Sequence, residues 1–100
     1  MVGLVGTRSK ALFGNRHLLA VSARIAGGAQ ELRPRELEEV LGLGPSTVHR
    51  TLAALSAAGL LERLPRRRGE RDQRYQRLPH PFWEAAARLH AEADAQDCRR

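Results

Sequence analysis

Seven arginines lie within one fifteen-residue stretch: Arg63, Arg66, Arg67, Arg68, Arg71, Arg74 and Arg77. Only Glu70 and Asp72 oppose them there. A guanidinium is planar, permanently charged and carries a fork of N–H donors, which suits it to phosphate oxygens. A cluster of this density points to a polyanion site. The whole chain holds 17 Lys+Arg against 11 Asp+Glu, a formal +6. Seven arginines minus two acids put +5 of that charge in the one stretch, so the other eighty-five residues are close to neutral. The plainer alternative is a solvated surface loop. Arg outnumbers Lys by 16 to 1, a bias that a GC-rich genome also produces.

A second group precedes the cluster: Pro45, Ser46, Thr47, His49 and Arg50. Their neighbours Val48, Leu52 and Leu55 recur at i, i+4 and i+7, one helical stripe. With about 100° per residue and Val48 at zero, Leu52 falls near 40° and Leu55 near −20°. On that wheel Ser46 and Arg50 lie at about 160° and 200°, opposite the apolar face, with Thr47 and His49 beside them. Ala53, Ala54 and Ala57 also lie on or near the outer face, where small side chains let a helix backbone approach DNA closely. Arg50 can read a guanine through two hydrogen bonds or hold a phosphate. An ordinary amphipathic helix with a polar outside has the same pattern, and the adjoining Arg cluster argues for the nucleic-acid reading. Double-stranded DNA fits better than single strands, because Tyr75 is the lone aromatic near the cluster and stacking platforms are missing.

Catalytic chemistry has no comparable constellation. There is no Gly-rich phosphate loop followed by Lys and Ser/Thr, and no His-Glu-x-x-His. His17, His49, His80 and His90 are scattered, and Cys98 sits two residues from the last position. The sequence predicts no enzyme, no metal and no cofactor. His90 and Asp94, at i and i+4, are too few for a metal centre and fit a solvated pair.

These groups need elements to hold them. A first helix is expected from about Asn15 to Ala26, with Asn15 as N-cap and Gly27-Gly28 as the stop. Residues 8–13 would add a turn before it. Residues 30–33 suit a minimal strand. Pro34 suits the first position of a second helix, with Leu37, Val40 and Leu41 on one face, the apolar one, and Glu36, Glu38 and Glu39 on the others. Gly42-Leu43-Gly44 breaks that helix; Gly42 permits positive φ and Leu43 plugs the angle. A third helix starts at Pro45 or Ser46 and ends at Gly59, a left-handed cap. Strands at 60–64 and 74–78 enclose a hairpin tip around Gly69. A last helix runs from about Pro81 to Ala95, with Phe82, Ala86, Leu89 and Ala93 on one stripe.

Composition sets the outer limits. One hundred residues make one domain-sized chain, 42% apolar, with 15 Ala, 15 Leu and four aromatics. That supports a small helical core and no deep substrate pocket. No apolar run reaches the ~18 residues of a membrane span. The opening residues Met1 to Gly6 lack the pattern of a signal peptide. A single Cys cannot form an internal disulfide, so a cytoplasmic protein is expected.

The order is helix, short strand, helix, tight turn, helix, hairpin, helix. Within it Leu37, Leu41-Gly42-Leu43, Ser46-Thr47-Val48, Arg50, Leu52, Leu55 and Ala58-Gly59-Leu60 resemble the helix-turn-helix of bacterial winged-helix transcription regulators of the ArsR and MarR type. The resemblance spans about residues 12–95. Gly44 stands where the family commonly has Ser, and Arg33 where it commonly has Thr or Ser, so helix capping departs from the pattern. The thiol pair many ArsR-like proteins carry on the second helix is absent. The resemblance implies a mainly α fold with a small β-hairpin wing, about four helices and two to three short strands.

Under this reading, residues 1–11 are an N-terminal extension and 12–80 the winged helix-turn-helix domain. Residues 81–96 form a C-terminal helix that dimerises, and 97–100 a tail. Pro45, Ser46, Thr47, His49 and Arg50 form the recognition helix face, and Arg66, Arg67, Arg68, Arg71 and Arg74 the wing contacts. The expected function is a sequence-specific double-stranded DNA-binding transcription regulator, a homodimeric repressor, with any small effector unidentified. Its dimer interface would use Leu12, Phe13, Leu18, Phe82, Trp83, Ala86, Leu89 and His90. Phe82 and Trp83 could instead close the monomer core. The competing functions are a winged-helix protein-interaction module and a plasmid or phage replication or partition factor.

Overall fold

Gly42 takes φ 65° and ends one helix where the next must begin almost at once. The amide of Leu43 then returns to the carbonyl of Glu38 at 3.2 Å, closing the last turn. A side chain at Gly42 would strain this left-handed conformation. The same device recurs at Gly59, φ 80°. There the amides of Gly59 and Leu60 return to the carbonyls of Ser56 and Leu55, both at 3.0 Å, a Schellman motif. Leu60 and Leu55 are both buried beside it.

The computed structural model describes residues 3–98. Its elements are α1 (Leu4–Phe13), α2 (Leu18–Gly27), β1 (Glu31–Leu32), α3 (Pro34–Leu41), α4 (Pro45–Ala57), β2 (Leu61–Arg63), β3 (Tyr75–Arg77) and α5 (Pro81–Cys98). They divide into two compact units, Gly28–His80 and Met1–Gly27 with Pro81–Arg100.

The first unit is the winged one. Pro34 opens α3 at its first turn, where its missing N–H costs nothing. Val48, Leu52 and Leu55 of α4 are buried, as the wheel requires, with Leu37 from α3 and Leu32, Leu60, Leu61 and Tyr75 from the sheet region. Burying a Leu or Val side chain stabilises by about 1.5–3 kcal/mol. The sheet order is β1-β3-β2, antiparallel throughout. Leu61, Glu62 and Arg63 face Arg77, Gln76 and Tyr75, while Glu31 and Leu32 face Gln76 and Tyr75. One expectation fails here. Val40 is 53% exposed while Leu37 is buried and Leu41 half-buried, so the neighbours of α3 cover only part of its apolar face.

The second unit packs α1, α2 and α5 against one another. Leu19, Val21, Ser22 and Ile25 of α2 are buried, as are Trp83, Ala86 and Ala93 of α5. The small alanines let α5 lie close to α2. The expected extension over 1–11 is instead largely helix: α1 begins at Leu4, with Met1 and Val2 outside the described residues. Its N-terminus is capped from a distance. The Leu4 amide donates to Oδ2 of Asp97 on α5 at 2.8 Å, and Arg8 donates to Gln96. A carboxylate at a helix N-terminus also complements the helix dipole. Asn15 does not cap a helix starting beside it, because α2 begins at Leu18. Its Oδ1 accepts from the His17 amide at 2.9 Å, inside the turn. The capping hydroxyl for α2 comes from buried Ser9, whose Oγ accepts from the Leu19 amide at 2.9 Å and donates to the Asn15 carbonyl. The last helix continues to Cys98, past the expected end; Arg99 and Arg100 lie outside the described residues.

Candidate nucleic-acid interface

Position on α4 decides what its polar residues can reach. Pro45, Ser46, His49 and Arg50 are exposed and Thr47 is half-buried, opposite the buried Val48, Leu52 and Leu55. Ala53, Ala54 and Ala57 are exposed on the same helix. Gly44 precedes α4 with extended backbone and no side-chain cap, as the departure from Ser implied. The Gly44 carbonyl accepts from the Val48 amide at 3.2 Å. Thr51 is buried, and its hydroxyl donates to the Thr47 carbonyl at 2.9 Å.

The wing tip is a tight turn. The Glu70 amide donates to the Arg67 carbonyl at 3.0 Å, across Arg68 and Gly69. Gly69 has φ 86°, the sign a type II turn needs at its third residue. Arg68 therefore sits at the apex.

Acidic residues sort the arginines. Arg74 is buried, with its side chain 6% exposed. Its Nη1 donates to Glu31 Oε1 at 2.6 Å, its Nε to Glu70 Oε2 at 3.0 Å and its Nη2 to the Pro65 carbonyl at 3.2 Å. Arg74 is thus an internal strut, which corrects its expected place among the phosphate contacts. Its donors point at protein acceptors rather than outward. Arg77 donates to the Gly28 carbonyl at 3.2 Å, and Arg63 to Gln73 at 3.4 Å. Arg66, Arg67, Arg68 and Arg71 are exposed, and among the described residues none of these four side chains has an acid partner.

Charge pairing leaves its mark on the acids. The Arg74 hydrogen bond, with the charges of Arg74, Arg67 and Arg33, holds the Glu31 carboxyl below its ordinary value. The Arg67 amide is the largest influence lowering Glu70, followed by the Arg74 hydrogen bond and charge. Arg74 is raised, first by Glu31 and then by Glu70.

A cleft of the winged unit gathers Arg35 of α3, His49 of α4 and Arg66 and Arg71 of the wing, with Glu38 and Asp72 on its wall. His49 from the α4 face and Arg66 and Arg71 from the wing therefore share one opening, while Pro45, Ser46, Thr47 and Arg50 lie outside its lining. Arg35 was not among the expected site residues. The available signal was a second arginine beside Pro34 at a helix start. Arg35 lies 3.6 Å from Asp72, so it also ties α3 to the wing.

The expected dimer residues separate differently. Leu18, Trp83 and Ala86 are buried within the single chain, so they belong to its core and not to an exposed interface. The reason is that α5 folds back on α2 and turns Trp83 and Ala86 inward. Leu12 and Phe13 stay exposed, at 60% and 38%, while Phe82, Leu89 and His90 are half-buried. Phe13 meets Phe82 edge to face with ring centres 6.2 Å apart.

A profile of the MarR family matches residues 16–74, from α2's approach to the root of the wing. The chain belongs to the MarR family. That membership makes this MarR-family chain a winged-helix DNA-binding transcription regulator, and it resolves the ArsR or MarR resemblance in favour of MarR. No curated protein sequence matches it. Solved structures agree on the fold. The reduced form of MarR from E. coli is 23% identical, with a TM-score of 0.65, covering 94% of this chain and 67% of that one. A cysteine-to-serine variant of E. coli MarR complexed with operator DNA is 23% identical, with a TM-score of 0.62 and coverage of 94% and 65%. A structure named Multiple Antibiotic Resistance Repressor, MarR, gives 23% identity, a TM-score of 0.66 and coverage of 89% and 65%. This MarR-family chain thus spans about two thirds of the length of these relatives. No helix among its described residues is long and apolar enough to cross a membrane.

Proposed function

We propose that this protein binds specific double-stranded DNA sites as a homodimer and represses transcription by occupying them. The observation that carries the reading is the sorting of the basic stretch. Among the described residues four wing arginine side chains have no acid partner, and Arg66 and Arg71 share a cleft with His49 of α4. In this reading α4 enters the major groove with Ser46, Thr47, His49 and Arg50 toward base edges. Arg66, Arg67, Arg68 and Arg71 hold phosphates or reach the adjacent minor groove. The E. coli relative solved with operator DNA and the relative named as a repressor support this use of the same fold. Two copies follow from energetics: one recognition helix supplies little affinity, and a two-fold dimer matches a palindromic site. Exposed Leu12 and Phe13, with half-buried Phe82, Leu89 and His90, are the surface we assign to that contact, within the C-terminal helix and first helix.

Selection of bound genomic fragments, followed by affinity measurements across salt concentration, tests the reading. With about four to five phosphates neutralised per chain, the dimer gives a log–log slope of about −7 to −9. A slope shallower than about −2 removes the electrostatic basis and returns the chain to a protein-docking role.

A further inference from the structure

An acid sits inside the basic wing. Resting on the DNA-binding reading, we propose that Glu70, with Arg74, is a positioning residue: it promotes DNA binding although its own charge opposes it. Glu70 bridges tip and root. Its Oε2 accepts from the Arg67 amide at 3.2 Å and from Arg74 Nε at 3.0 Å. Its own amide donates to the Arg67 carbonyl at 3.0 Å, so the two residues bond reciprocally across the apex. Arg74 then reaches both limbs of the loop and the neighbouring strand, through Pro65, Glu70 and Glu31. Arg66, Arg67 and Arg68 lie on the outgoing limb between Pro65 and Gly69, the segment these bonds constrain. Without the carboxylate, that limb must be ordered when DNA binds, and ordering reduces affinity.

Two effects of Glu70 have opposite signs, which makes the role testable. Simple electrostatics says that deleting an acid near phosphates tightens binding. Positioning says that it weakens binding. Glu62 provides the control: it is exposed on β2, near the wing root, with no ion-pair partner among the described residues.

The experiment measures duplex affinity and amide exchange for the full chain, Glu70→Gln, Glu62→Gln and Arg74→Lys. Glu62→Gln binds as tightly as the unsubstituted chain or tighter. Glu70→Gln binds about fivefold weaker or more, with an unchanged salt slope, because the same arginines meet the phosphates. Exchange at Arg67 to Glu70 rises while β2 and β3 stay protected. Arg74→Lys keeps the charge but loses the three-way fork, and it weakens binding in the same manner. The role is overturned if Glu70→Gln matches Glu62→Gln in affinity. It is overturned as well if Glu70→Gln leaves exchange at the tip unchanged. Absence of salt-dependent binding in the unsubstituted chain instead overturns the DNA reading, and this role with it.

Discussion

Arg74 Nη1 lies 2.6 Å from Oε1 of Glu31, a residue 43 positions earlier on the neighbouring strand. The pair fastens β1 to the start of β3 and draws one arginine out of the basic surface. Glu31 opens a two-residue strand, whose other ties are its pairing with Gln76 and Tyr75 and the bond from the Arg77 amide to the Gln30 carbonyl. Arg74→Ala is expected to leave Glu31 without its main partner and Glu70 without the Arg74 donor, with the Arg67 amide still on Glu70. Hydrogen exchange should accelerate across β1, β2 and β3, while α5 amides keep their protection. Uniform acceleration through both units would contradict the local role.

Acid should loosen the same region. Glu31 and Glu70 are both held below the ordinary value of 4.5. A carboxylate depressed in the folded state contributes stability that is present above its unfolded value and is lost as pH falls through the folded one. Wing stability should therefore be flat near neutrality and fall below pH 4.5, where these groups take up protons. Tyr75 of β3 is buried, so its resonances report the change. A wing that loosens between pH 6 and 8 would contradict the assignment to these carboxylates.

Base reading and phosphate holding separate by substitution. Arg50→Ala should cost about 1–3 kcal/mol on the selected site and little on random duplex, if Arg50 reads a base. Arg67→Ala with Arg68→Ala should weaken all duplexes alike and flatten the salt slope by about 2 per chain. Equal losses on every sequence from both changes would make Arg50 a phosphate contact.

Core and interface on α5 should also part. Trp83 is 6% exposed, and Trp83→Ala should destabilise the chain by about 3–5 kcal/mol without altering subunit number at low temperature. Leu89 is half-buried, and Leu89→Asp should yield a folded monomer with weak DNA binding in sedimentation and calorimetry. A Leu89→Asp chain that remains dimeric would move the interface to Leu12 and Phe13 alone.

The cap on α1 predicts a smaller effect. Asp97→Ala removes the acceptor of the Leu4 amide and should cost about 1 kcal/mol, lowering the midpoint by about 4–8 °C. Exchange should rise first in α1. No change there would show that Arg8 and Gln96 suffice.

Helix α4 was legible because its information is local. A stripe at i, i+4 and i+7 fixes which side of one helix is apolar, and therefore that Ser46 and Arg50 point away from it. Left-handed turns at Gly42 and Gly59 were legible for the same reason, since few residues other than glycine adopt them. The exposure of Val40 was not legible, because periodicity gives a direction around α3 but not how much of that face its neighbours cover.

Local sequence is enough for the winged helix-turn-helix order, the outward face of α4 and the concentration of charge in the wing. Each rests on interactions between residues a few positions apart. Which arginines remain available depends on contacts that form when the chain folds. Arg74 and Arg71 are alike in sequence, and they differ because Glu31, forty-three residues from Arg74, reaches one of them. The helical state of α1 and the place of Trp83 in the core depend on such contacts too. The weakly patterned segment Leu4–Phe13 is helical where it packs on α2 and α5 and where Asp97, 93 residues from Leu4, caps it. Pairings of that range follow from how the chain folds back on itself, and nothing in local spacing encodes them.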